Sequence, residues 1–315
     1  MILITAFFVI GYFDVYFNKT LTKADNFPIV LMIYSMWFLI WLGMYKAYRN
    51  DIRIEQGLKP EEYNDPDDKV LVWPDLVYIE FIALILFQVF LIVWSILVAA
   101  PIEEPANPAA TPNPSKAPWY FLGLQEMLVY YDPWIAGVLL PTFIIVGLMA
   151  IPYLDINKKG DGYYSFKERR VGIFIFMYGW VVLWLFLIII GTFFRGPNWN
   201  FFGPFEYWDT HKVEALTNVN LSEILWVKWL NQGLPSNILI RESLGFIVTG
   251  LYLFVLPVIL AKTYLKDMLA AYGPTRFVTL MILGLVMLAL PIKMYLRWIF
   301  NLQYIIAIPE WFLNI

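Results

Sequence analysis

Cysteine is absent from this chain of 315 residues, and histidine occurs once, as His211. Such an inventory cannot furnish a bis-histidine haem site, a thioether haem linkage, an iron–sulfur cluster or a cysteine zinc site, so any redox metal must sit on a partner. Charge is also scarce: 15% of residues are charged against 60% hydrophobic, and the mean hydropathy is +0.64. A soluble domain of this size needs far more polar surface than that. The net charge is -3 and no basic run follows the pattern of a phosphate-tracking surface, so nucleic acid is not an expected partner.

What the chain has instead is long uncharged runs: 27–45, 81–102, 133–154, 171–194, 243–261 and 277–292. Roughly 20 apolar residues cross a bilayer core, so these runs predict six spans, with residues 1–17 as a short further crossing or a surface segment. That opening stretch lacks the basic start and small-residue cleavage site of a signal peptide and reads as mature sequence. The predicted fold class is an all-α polytopic transmembrane bundle of six or seven spans, with amphipathic surface helices on the positive side. Lysine and arginine concentrate in the loops 46–74, 155–170 and 262–276, which places those loops in the cytoplasm. The loops 101–133 and 195–242 then lie on the opposite, positive side, although Lys293 and Arg297 run against that rule. Pro141, Pro152, Pro257 and Pro291 fall inside spans and are expected to kink them.

The loop 101–133 is the most informative segment. Seven prolines in 33 residues preclude one long helix, yet its second half, from Trp119 to Tyr130, is apolar and aromatic. This predicts an extended proline-rich strap leading into a short helix at the membrane surface. Trp119, Tyr120, Gln125 and Glu126 are its polar-capable groups. An aromatic wall with one ionisable carboxyl beside the bilayer suits binding and deprotonation of a lipid-soluble hydroquinone; the plainer alternative is an interfacial aromatic belt.

The string EPANPAATPNPSKAPWYF, followed by an apolar helix ending in PYLD, resembles the C-terminal half of cytochrome b and the separate subunit IV of Rieske/cytochrome b complexes. Ala106, Asn107 and Pro108 match the family's first loop element, and Thr111 and Pro112 its second. Ala117, Pro118, Trp119, Tyr120 and Phe121 stand where the family carries P-E-W-Y-F. The likeness is dense over residues 72–195, weaker beyond, and absent over the first 70 residues. Where the family has its motif glutamate, this chain has Pro118, so the usual proton acceptor is missing. Glu126, two helical turns further on, is the expected substitute, with Asp132, Glu103 and Glu104 as rivals.

The resemblance implies a haem-free subunit of a quinol oxidoreductase, not catalytic alone, in which Pro118, Trp119, Tyr120, Phe121 and Gln125 contact a menaquinol or ubiquinol. It implies a haem-bearing cytochrome b N-terminal-type subunit carrying b-type haems, a Rieske iron–sulfur protein and a c-type cytochrome as partners. The assembly would be dimeric, surrounded by membrane lipid, in an energy-transducing membrane of the bacterial inner or cytoplasmic kind. The corresponding division is an N-terminal extension (1–70), a three-helix core with the quinol loop (71–195), a positive-side loop (196–242) and a closing region of two further spans (243–315). A transporter or channel subunit, or an anchor subunit of another respiratory complex, are the alternatives. The spans carry almost no polar residues for transport.

Four other features bear on function. Asp75 and Glu80 open a span and read as interfacial carboxylates or as a proton relay. Residues 155–170 read as a solvated loop, and 213–230 as an amphipathic helix with Leu216, Ile224, Trp226 and Leu230 on its apolar face. Pro309, Glu310, Trp311 and Phe312 mimic the family motif but lack its approach, and read as a terminal surface anchor.

Overall fold

The computed structural model describes residues 2–24, 26–64, 71–98, 105–157, 162–213 and 217–315. Among them the regular structure is almost wholly helical, and six helices are long and apolar enough to cross a membrane. The chain divides into two compact units, residues 1–112 with 159–170, and residues 113–158 with 171–315.

The first unit opens with α1 (Ile2–Tyr12) and α2 (Val15–Leu21), bent by 114°. The predicted short crossing is therefore broken. Asp14 causes the break: its carboxylate accepts the backbone N–H groups of Tyr16 at 3.0 Å and Phe17 at 2.8 Å, starting a new helix there. Helix α3 (Phe27–Glu55) runs about ten residues past its apolar stretch. That extension carries Asn50 and Asp51, both buried, which grip the loop 162–170. Asp51 accepts from the Ser165 hydroxyl at 2.6 Å and from the backbone N–H groups of Phe166 and Lys167 at 3.2 Å, capping the next helix from another element. Asn50 donates to the Tyr164 carbonyl at 3.0 Å. The second half of the loop 155–170 is thus docked rather than solvated, while Lys158 to Asp161 lie outside the described residues. Helix α4 (Val72–Leu97) buries none of its residues, and Asp75 and Glu80 are exposed along with the rest.

The second unit contains α5 (Trp119–Met127), α6 (Ile135–Leu154), and most of α7 (Phe166–Phe194). It also holds α8 (Leu221–Glu223, continued by Ile224–Trp229), α9 (Ser243–Lys262), α10 (Lys266–Tyr272) and α11 (Pro274–Phe300). A core of Met127, Tyr130, Tyr131, Ile135, Ala136, Leu187, Ile190, Leu290 and Met294 joins α5, α6, α7 and α11. Two of the four span prolines coincide with a distortion: wide, π-type turns over Ile135–Leu139 and Leu251–Val255 come just before Pro141 and Pro257, whose rings cannot donate to the carbonyl one turn back. Pro152 and Pro291 lie within α-helical stretches.

The amphipathic helix expected over 213–230 is shorter. It begins only at Leu221, because Asn220 and Glu223 form a reciprocal capping box, with the Asn220 N–H donating to Glu223 at 3.1 Å. Leu216 lies outside the described residues. The chain closes with a two-stranded hairpin, β1 (Ala307–Ile308) and β2 (Leu313–Asn314), in the register Ala307 to Asn314.

The segment before this hairpin crosses α9 at Gly245, where an added Cβ would sit 2.2 Å from the Ile305 carbonyl oxygen. Gly250, five residues on, has nothing within 4 Å. Gly245→Ala should therefore destabilise the protein by about 2 kcal/mol through overpacking against backbone, while Gly250→Ala should be neutral or stabilising. Thermal unfolding of the detergent-solubilised protein compares the two; equal effects would contradict this packing.

Candidate functional site

The site is built on α5. Pro118 occupies the position before its first turn, with φ -51°, ending the strap and starting the helix. From Trp119 the buried positions recur at helical spacing: Leu122, Gly123, Glu126, Met127 and then Tyr130. Gly191 lets α5 lie close against α7: a Cβ there would come within 2.9 Å of the Leu122 side chain, whereas one at Gly123 would meet the Trp184 indole at an ordinary contact distance of 3.5 Å. Tyr120 and Phe121 turn the other way, with 48% and 55% of their surface exposed. Trp119 lies between the two faces and meets Trp184 edge-on at 6.2 Å between ring centres, while Trp184 stacks on Trp180 at 4.3 Å.

Glu126 is fully buried, so it is not a solvated surface carboxylate. Arg195, at the end of α7, donates Nε to its Oε2 at 2.9 Å and Nη2 to its Oε1 at 2.8 Å, a bidentate ion pair. The Tyr130 hydroxyl donates to Oε1 at 3.0 Å, and the Trp199 indole N–H to Oε2 at 3.2 Å. Four donors thus occupy the carboxylate's four lone-pair directions. Burial by itself weakens the Arg195 charge, but the hydrogen bonds and the charge of Glu126 outweigh it and hold the guanidinium above its ordinary range. Burial, reinforced by the Glu126 charge, pushes the Tyr130 hydroxyl well above the usual tyrosine range. The guanidinium therefore stays charged and the phenol neutral around pH 7.

The strap is fastened to this cluster by side chains. Gln125 accepts from the Ala117 N–H at 2.8 Å and donates to the Ser115 carbonyl at 2.9 Å. Lys116 donates to the Thr192 carbonyl at 2.8 Å and lies over the Trp208 ring. Asn113 and Asn198 exchange two hydrogen bonds: the Asn198 backbone N–H donates to Asn113 at 2.6 Å, and the Asn113 amide donates to the Asn198 side chain at 2.9 Å. Asn198 and Trp199 both have left-handed backbones, φ 57° and 58°. Each such non-glycine residue costs on the order of 1–3 kcal/mol, so surrounding contacts must hold the turn.

The predicted residues therefore divide. Pro118, Tyr120 and Phe121 form the open side of α5, Gln125 fastens the strap, and Glu126 lies sealed beneath. Of the rivals, Asp132 accepts from the Asn314 amide at 2.8 Å and the Trp134 N–H at 3.1 Å. Glu103 and Glu104 lie outside the described residues. Glu310 is held by Arg241 in a bidentate pair at 2.8 and 2.9 Å, leaving Trp311 and Phe312 exposed at the hairpin tip. His211 is exposed. Sequence reasoning missed Arg195, Tyr130, Trp199, Asn113 and Asn198. A signal for Arg195 existed: a lone arginine abutting a 24-residue uncharged run needs a partner at that depth.

Six apolar helices and this buried polar cluster define an integral, polytopic helical membrane protein. Residues 105–205, about a third of the chain, match the family Cytochrome b(C-terminal)/b6/petD, and this is the segment that holds the strap, α5, Glu126, Arg195 and Trp199. The chain is thus similar to that family over that segment. No solved structure matches the chain.

Removing one partner of a buried ion pair strands the other charge, at a cost of about 3–5 kcal/mol. Glu126→Met and Arg195→Met should each destabilise the protein on that scale, and the double variant by less than the sum of the two. A double-mutant cycle on thermal unfolding in detergent measures this; strict additivity would show that the pair is not coupled.

Proposed function

We propose that the chain is a subunit of a cytochrome b-type quinol oxidoreductase, forming one wall of the quinol-oxidation pocket on the positive side of the membrane. The observation that carries this reading is the coincidence of the family match with the site: the matched segment holds both an exposed aromatic helix face and a buried carboxylate on the inner face of the same helix. The chain's lone histidine and lack of cysteine fit a division of labour in which b-type haems, a Rieske iron–sulfur centre and a c-type cytochrome belong to partners. Those partner groups would take the two electrons of the quinol.

This chain would supply binding surface and a route for protons. Trp119, Tyr120 and Phe121, with Pro118 at the helix start, offer an apolar aromatic surface suited to a quinol ring, with a menaquinol or ubiquinol as the ligand class. Gln125 keeps the strap in register, so the wall is pre-formed. Glu126 is the proposed proton acceptor in place of the family glutamate, whose position Pro118 takes. As its four lone-pair directions are occupied, acceptance of a proton requires one donor to withdraw first. Protonation would neutralise Glu126 and leave Arg195 as an unbalanced buried cation, which drives onward release of the proton.

In the assembled complex, Tyr120→Ala combined with Phe121→Ala should raise the quinol KM about tenfold, a loss of apolar contact. Glu126→Gln should lower kcat by a factor of about 100, the lower range for a general base. Quinol-dependent reduction of the c-type cytochrome measures both, with co-purified haem content reporting assembly. Undiminished turnover in Glu126→Gln with haem retained would sink the proton-acceptor role.

A further inference from the structure

We infer that Trp199 is the gate through which Glu126 exchanges protons with water, and that the Asn113–Asn198 pair is the latch that keeps it shut; this rests on the proposed role of Glu126. Among the four donors on Glu126, three are locked by the interior. Arg195 is 7% exposed and holds both carboxylate oxygens. Tyr130 is fully buried in the core beside α11. The Trp199 indole makes the longest of the four bonds, 3.2 Å, and is only part-buried. It also stands on the strained turn, with left-handed backbone at its own position and at Asn198. A donor that is both weakest and carried on strained backbone is the one whose withdrawal is easiest.

What lies beyond it supports a route. A cleft of about 390 Å³, open to the surface, is lined by Asn113, Ser115, Gln125, Leu128, Asn198 and Trp199. Rotation of the indole away from Oε2 would free an acceptor direction on the Trp199 side, the side of this cleft. A proton leaving the Glu126 carboxyl would then pass to water there, restoring the carboxylate and its pair with Arg195. The strap ties the turn through Asn113, which makes two bonds with Asn198. Within the segment 195–212 the Trp199 N–H to Gly196, the Asn200 N–H to Pro197, the Gly196 N–H to Asn200, Arg195 Nη1 to the Trp199 carbonyl, the Asn198 amide to Thr210 and the Asn200 amide to Lys212 hold its base. Asn113 and Asn198 are thus positioning residues, acting through Trp199.

Two variants of the assembled complex test the gate, Asn113→Ala and Trp199→Phe, the second keeping the ring but removing the indole donor. Hydrogen–deuterium exchange should speed up at least tenfold over residues 196–202 in Asn113→Ala, with residues 119–127 unchanged. In both variants the midpoint of the pH profile for quinol oxidation should shift by half a unit or more at unchanged haem content, and a Glu126→Gln background should abolish that shift. Unchanged exchange over 196–202 would overturn the latch, whatever the kinetics. Faster exchange with pH profiles that superimpose on the wild type would overturn the gate. Wild-type turnover in Glu126→Gln alone would instead mean that the acceptor reading has failed, and the gate with it.

Discussion

The buried pair of Glu126 and Arg195 is the constraint on which the second unit turns. Neither charge can be left alone in an apolar interior without a penalty of several kcal/mol, so each determines where the other's backbone must be. Arg195 ends α7 and Glu126 lies on the inner face of α5, and their two hydrogen bonds fix the surface helix to the end of a membrane-length helix. Gly191 permits the close approach, and Tyr130 and Trp199 saturate the carboxylate. Hydrophobic packing alone would leave α5 free to rotate or slide on an apolar surface; the pair specifies one arrangement.

From that arrangement the division of the site follows. With Glu126 pinned inward, helical spacing points Tyr120 and Phe121 outward, which creates an aromatic surface facing away from the core. The strap is then the outer layer, tied by Gln125, Lys116 and Asn113 to backbone and side chains of the same unit. The chemistry proposed for this region depends on the tension between a sealed carboxylate and the need to move a proton. A charge held by four donors is stable and unreactive, so the proposed function must reside in whichever donor gives way, and the strained turn bearing Trp199 is where we place that step.

Much of this was legible in the sequence, for identifiable reasons. The six spans were readable because a bilayer demands long uncharged runs, and all six appear as helices. The strap and its short helix were readable because proline forbids one outcome and an aromatic amphipathic run favours another. Glu126 stood out as a lone carboxyl in an apolar helix. Its partner did not, since Arg195 is 69 positions away and only folding brings them together. The break at Asp14 and the late start of α8 at Leu221 were missed because capping side chains override apolar patterning locally. The docking of the loop 162–170 by Asn50 and Asp51 was invisible for a similar reason: those polar residues sit on a helix extension that composition marks as solvent-facing.

The central claim is that this chain works only as the haem-free wall of a haem-bearing quinol oxidoreductase. The most direct test is to purify the chain from its native membrane with its partners and record a reduced-minus-oxidised spectrum on adding quinol. The account predicts a b-type haem signal that co-purifies, is reduced by the quinol, and disappears when the chain is isolated from its partners. A chain that purifies without any haem-bearing partner, or that transports solute in their absence, would contradict it.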